Sequence, residues 1–226
     1  MKNKDKFERI KMDIDNKEYK HKIFQNEDLL EESNKTESEI RNVLNEIENF
    51  DKKSILAEVD IIKNLVPKKD CLWIIYEAER FAAEHGGWGK DRHSNYPTVD
   101  IDIRRIYLLE NYLYNITYSS IFPKVAEKFN LNPKYLGINE IFIVKYNLNG
   151  QTKLKEHQDG SEFSFIIPLN KDYEGGGTKF KFLKDKIDTE IGNCVIFCGK
   201  HRHKGIEIKS GERYILAGFL NYGWED

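Results

Sequence analysis

Apolar residues change their spacing twice along this chain of 226 residues. In residues 1–54 Lys, Glu, Asp and Asn crowd out most apolar positions. Only Ile40, Val43, Leu44, Ile47 and Phe50 stand at helical 3-4 spacing, with Thr36 or Ser38 as N-cap. The pattern predicts a charged leader, partly disordered, that ends in an amphipathic helix. From residue 55 the texture becomes that of a folded domain, 55–226. Ile55 to Pro67 fits an edge strand or a short helix equally well. Leu72, Trp73, Ile75, Tyr76, Ala78, Phe81 and Ala82 mark a helix over 71–85 that Gly86-Gly87 ends. A second helical region runs from Arg105 to Phe129, with an interruption near Pro123.

Beyond it the period falls toward two. Strands are predicted at 138–146, 163–169, 178–183, 193–198 and 213–220, separated by turns at Asn147-Leu-Asn-Gly150 and Tyr173-Glu-Gly-Gly-Gly177. Helices followed by a run of short strands indicate an α+β domain whose β part is a sandwich or barrel.

Composition narrows the function. The formal net charge of −2 argues against a nucleic-acid partner, which ordinarily meets a strongly basic domain. No apolar run approaches the roughly 18–20 residues that cross a bilayer, so no membrane association is expected. The charged N-terminus contains no apolar signal segment, which predicts a cytoplasmic protein. Three cysteines, an odd number, do not suggest a disulfide framework. Cys194 and Cys198 share one face of a predicted strand, where buried thiols are expected.

His157-Gln158-Asp159 is the first candidate for chemistry. On an extended segment residues i and i+2 point the same way, so an imidazole and a carboxylate can converge on one metal ion. Alone this is a weak signal, because six histidines make a chance His-x-Asp common. His203, in His-Arg-His-Lys-Gly just after a predicted strand, strengthens it. Two histidines and one carboxylate form a facial triad that leaves iron positions open for a co-substrate and O2. Arg213 follows in Gly-Glu-Arg-Tyr-Ile-Leu, where a guanidinium can grip a carboxylate through two parallel hydrogen bonds. His201 competes with His203 for the ligand role and is the less favoured. His85 and His93 are read as loop histidines. Ser161 and Ser164 lack the Gly-x-Ser-x-Gly context of a hydrolase, and the glycine run at 175–177 lacks that of a phosphate loop.

Together these stretches resemble the prolyl and lysyl hydroxylase branch of the 2-oxoglutarate dioxygenases, and most closely the procollagen lysyl hydroxylase catalytic domain. Tyr96-Pro-Thr-Val-Asp-Ile101, Phe142-Ile-Val-Lys-Tyr146, His157-Gln-Asp-Gly-Ser161, Tyr173 to Phe180, and His203-Lys-Gly205 through Tyr214 carry the resemblance. It implies a double-stranded β-helix (jelly-roll) core with flanking N-terminal helices. It also implies Fe(II) held by His157, Asp159 and His203, 2-oxoglutarate held by Arg213 and the Tyr146 hydroxyl, and L-ascorbate rescuing uncoupled turnover. The expected reaction is hydroxylation of a peptidyl side chain, lysine first, with release of succinate and CO2. A prolyl or small-molecule hydroxylase of the same clan, or a non-catalytic metal-binding scaffold, stands as the alternative. Asp100 is a candidate for attracting a cationic substrate side chain. Partner docking on residues 36–50, including formation of a homodimer, is left open.

Overall fold

A computed structural model describes residues 59–90, 92 and 96–223. The leader, its helix at 36–50 and His93 lie outside the described residues.

The uncertain stretch before Pro67 contains a short edge strand, β1 (Asp60–Ile62). Helix α1 (Lys68–Glu84) follows, with Asp70 in its first turn, where the helix dipole favours a negative charge. Cys71, Ile74, Ala78, Phe81 and Ala82 form its buried stripe. After β2 (Asp100–Asp102) come α2 (Tyr107–Ile116) and α3 (Phe122–Phe129). The break between them is a π-turn at Thr117–Ile121, where the Thr117 hydroxyl donates back to the Leu113 carbonyl at 2.8 Å. This is the interruption expected near Pro123, which follows it in the first turn of α3.

The strands are β3 (Leu136–Tyr146), β4 (Leu154–His157), β5 (Phe163–Pro168), β6 (Tyr173–Gly175), β7 (Thr178–Phe180), β8 (Cys194–Cys198), β9 (His203–Gly205), β10 (Ile208–Gly211) and β11 (Arg213–Tyr222). The large sheet has the order β1-β8-β5-β11-β3-β2. Smaller sheets, β4-β9-β7 and β10-β6, complete the β part, and every named strand pairing is antiparallel.

Alternation along β3 and β11 separates two cores. Phe142, Val144, Tyr146, Ile215 and Ala217 pack with Ile208 of β10, Leu154 of β4 and Tyr173 of β6 between the sheets. The neighbouring residues on β3 and β11 face the helices. There Lys145 pairs with Glu79 of α1, and across on β5 the ring of Phe163 lies 4.4 Å from that of Phe129 of α3. Strand β8 is buried at all five positions, including both cysteines, as the sequence predicts for inert thiols. Each large apolar side chain buried this way contributes about 1.5–3 kcal/mol. The result is the expected α+β jelly roll with helices N-terminal to it.

Candidate active site

Between the sheets lies a cavity of about 410 Å³ whose walls include Tyr146, His157, Asp159, His203 and Arg213. The sequence candidates thus converge, although 67 residues separate Tyr146 from Arg213. Strand pairing brings them together. Arg213 is the direct cross-strand partner of Tyr146, and His203 that of His157.

His157 ends β4, and Asp159 follows in the bend beyond it, held by its backbone N–H donating to the Gly199 carbonyl at 2.8 Å. The imidazoles of His157 and His203 have their ring centroids 4.3 Å apart. In each ring Nδ1 is 2.8–2.9 Å from a backbone carbonyl, that of Lys155 for His157 and that of His201 for His203. Donation to those oxygens puts the proton on Nδ1 and leaves the Nε2 lone pair facing inward. Both Nε2 atoms point at one oxygen, Asp159 Oδ1, at 3.3 and 3.7 Å. The other carboxylate oxygen accepts from the Ser164 hydroxyl at 2.6 Å, and Ser161 lies 3.1 Å behind Ser164.

The donor atoms of His157, Asp159 and His203 lie within 4.8 Å of one another, the sole such group of three or more among the described residues. Electrostatics suit a cation. Burial alone would raise the Asp159 carboxyl, but the two imidazoles and Ser164 outweigh it and hold the group below its ordinary value. Burial pulls His157 down, yet the hydrogen bond and charge of Asp159 lift it above its ordinary value. His203 is more deeply buried and is lowered, chiefly by that burial. With both Nε2 atoms deprotonated, two imidazoles and one ionised carboxylate are the donor set that fits a divalent iron.

Arg213 is 3% exposed, and its Nε and Nη1 have no hydrogen-bond partner among the described residues. Its guanidinium carbon lies 5.2 Å from the centre of the Tyr146 ring and 5.9 Å from that of Tyr173. A buried, charged fork with unfilled donors is costly unless an anion completes it. A carboxylate of a co-substrate fits that requirement. The Gly-Gly-Gly turn lets this happen: Gly176 has φ of +63°, and a Cβ there would fall 2.6 Å from the Tyr173 ring and 3.1 Å from Arg213 Cδ.

Other candidates fall away from the centre. The ring of His201 stacks 4.5 Å from that of Phe182, outside the grouped donors. His85 stacks on Phe81, with its Nδ1 2.9 Å from the Phe81 carbonyl. Asp100 lies on β2, paired with Arg92 at 3.1 Å and hydrogen-bonded by Thr98. Its carboxylate thus already has cationic company. Sequence alone gives no role to Ser164 or to Asn170. A polar residue inside an apolar strand, Phe-Ser-Phe-Ile-Ile, was the available signal for Ser164. The Tyr96 ring lies tilted against that of His157, with centroids 5.1 Å apart.

An antiparallel jelly roll with few helices and this cavity is the fold of the 2-oxoglutarate–Fe(II) oxygenases. A viral collagen prolyl hydroxylase from Paramecium bursaria Chlorella virus-1, solved with 2-oxoglutarate, superposes with a TM-score of 0.52 at 16% identity, over 74% of this chain and 96% of that one. No family model matches the chain. Its sequence homologues are procollagen lysine hydroxylases. A multifunctional procollagen lysine hydroxylase and glycosyltransferase of Caenorhabditis elegans is 31% identical over 170 residues, 70% of this chain. The human procollagen-lysine,2-oxoglutarate 5-dioxygenase 2 is 30% identical over 167 residues, 68% of this chain. The matched regions span 23% and 22% of those relatives' own lengths.

Proposed function

We propose that this domain is an Fe(II)- and 2-oxoglutarate-dependent dioxygenase that hydroxylates a side chain of a peptide or protein, lysine first. The observation that carries the reading is one cavity holding both a convergent His157/Asp159/His203 donor set and the unpartnered guanidinium of Arg213. When bound, iron and 2-oxoglutarate together supply the oxidising power that places an oxygen on a C–H carbon, with succinate and CO2 released.

The residues of the chain do the rest. His157 and His203 would offer Nε2 to the metal, their orientation set by the Lys155 and His201 carbonyls. Asp159 offers a carboxylate whose second oxygen Ser164 holds. Arg213 would bind the far carboxylate of the co-substrate, and the Tyr146 hydroxyl would assist it. Phe142, Val144, Ile166, Ala217 and Phe219 supply apolar walls that keep bulk water from the reacting carbon. Asp159 also argues against halogenation, which needs the carboxylate position vacated.

Purified protein loaded anaerobically with Fe(II) is mixed with 2-oxoglutarate, O2 and L-ascorbate, and succinate is followed. Wild type is compared with His157→Ala and Arg213→Ala, with and without lysine- and proline-containing collagen-like peptides analysed for gain of one oxygen. Succinate that depends on His157 and rises with a lysine peptide is the expected result. Oxygen gained only on proline would move the substrate to prolyl residues. Succinate no higher than in His157→Ala would sink the reading.

A further inference from the structure

If Arg213 binds the co-substrate, something other than a salt bridge must aim it, because two of its nitrogens are without partners among the described residues. The Tyr146 and Tyr173 rings confine its tip but provide no directional bond to Nε or Nη1. Direction must then come from the backbone at the root of the side chain.

That root lies where the sheet ends on one side. Strand β5 pairs with β11 as far as Pro168 opposite Ile215. One residue further, the Leu169 N–H still donates to the Tyr214 carbonyl at 3.0 Å. The reciprocal bond, from the Tyr214 N–H to a backbone carbonyl, is replaced. Tyr214 N–H donates instead to the side-chain oxygen of Asn170 at 2.9 Å. The same amide donates through Nδ2 to the Glu212 carbonyl at 2.8 Å. Asn170 is 7% exposed, so neither bond competes freely with water.

The two groups that Asn170 grips belong to the two peptide units flanking Arg213. The Glu212 carbonyl lies in the unit before it, and the Tyr214 N–H in the unit after. Holding both units fixes φ and ψ of Arg213 together, and these dihedrals set the direction in which its Cα–Cβ bond leaves the strand. On the other edge Arg213 is in register with Tyr146.

We infer that Asn170 is a positioning residue for co-substrate binding: its side-chain amide replaces the missing strand beside Arg213 and aims the guanidinium into the cavity. Asn170 is not among the residues that line the cavity. It acts through the backbone of Arg213, and this assignment rests on the reading of Arg213 as the carboxylate anchor.

The test measures 2-oxoglutarate binding by calorimetry on the full chain loaded with Mn(II), alongside KM and kcat with iron. Asn170→Ala is expected to weaken 2-oxoglutarate by about tenfold in Kd and KM, since small misplacements of a binding group are costly. Metal affinity and kcat at saturating 2-oxoglutarate should stay within about twofold, because the ligands are on other strands. Asn193→Ala is the control. Asn193 is also a buried asparagine, bonded to Thr189 and Asn64, and its loss should leave KM for 2-oxoglutarate unchanged. In an Arg213→Ala background Asn170→Ala should add nothing, since the two act as one unit.

An Asn170→Ala protein with wild-type affinity for 2-oxoglutarate overturns the inference, as does an equal loss in the Arg213→Ala background. Arg213→Ala with wild-type affinity would instead overturn the anchor reading on which it rests. Should Asn170→Ala fail to fold, Asn170→Ser, which keeps a small hydrogen-bonding group, serves in its place under the same criteria.

Discussion

Removing the Ser164 hydroxyl tests whether the site is built to hold a metal or is an incidental cluster. The Ser164→Ala change deletes one oxygen from a fully buried position on β5. That oxygen donates to Asp159 Oδ2 at 2.6 Å while Oδ1 faces the two imidazoles. A hydrogen bond to a charged group is worth about 1.5–3 kcal/mol. At about 1.4 kcal/mol per decade, its full loss would weaken a metal bound through Asp159 by roughly ten- to a hundredfold. Rotation of the carboxylate recovers part of this, so the lower half of that range is the expected outcome. The fold should pay less, since the deleted atom is small, although Ser161 also loses its neighbour. Competition with a chromophoric chelator reports the metal Kd, and a thermal melt of the metal-free protein reports the fold. A Ser164→Ala protein that melts normally and binds Fe(II) within threefold of wild type would refute the reasoning.

Arg213→Lys should raise KM for 2-oxoglutarate by about tenfold or more, because an ammonium keeps the charge but not the planar fork. A KM within twofold of wild type would show that charge alone suffices. Metal affinity should fall as pH falls. His157, raised above its ordinary 6.5 by Asp159, takes up a proton before the lowered His203 and stops being a ligand; raising the pH restores it. A metal Kd that is flat between about pH 8 and 6 would contradict this assignment. Gly218→Ala places a Cβ 2.2 Å from the Phe165 ring and should cost about 1–3 kcal/mol, read as a lower denaturant midpoint with an unchanged slope.

The chemistry of this site was more legible than its scaffold. His157, Asp159, His203 and Arg213 came forward through their order and spacing together with the family resemblance, and Tyr146 through the resemblance alone. Strands β2, β6, β9 and β10 are three or four residues long, too short for a period of two to stand out. The break at Thr117–Ile121 was legible only as an interruption near Pro123, and nothing in the pattern marked it as a π-turn. Ser164 and Asn170 were hidden for another reason. Ser164 acts through a hydrogen bond to Asp159 and Asn170 through the backbone of a strand far along the chain, and neither relation has a characteristic spacing. Asp100 was legible as an acidic candidate, but its pairing with Arg92 was not.

The register of β11 against β3 has one more consequence. Arg213 and Tyr146 meet only when the neighbouring strands β11 and β3 of the large sheet are correctly paired, and the candidate metal donors sit on β4 and β9 and in the loop before β5. No fragment with part of the sheet assembled can offer the complete site, so a ligand there recognises the native domain alone. Occupancy is then written into the unfolding equilibrium of the whole sandwich, at about 2.7 kcal/mol for a ligand at a hundred times its Kd. A melting curve of this protein reports, in effect, the free concentrations of the small molecules around it.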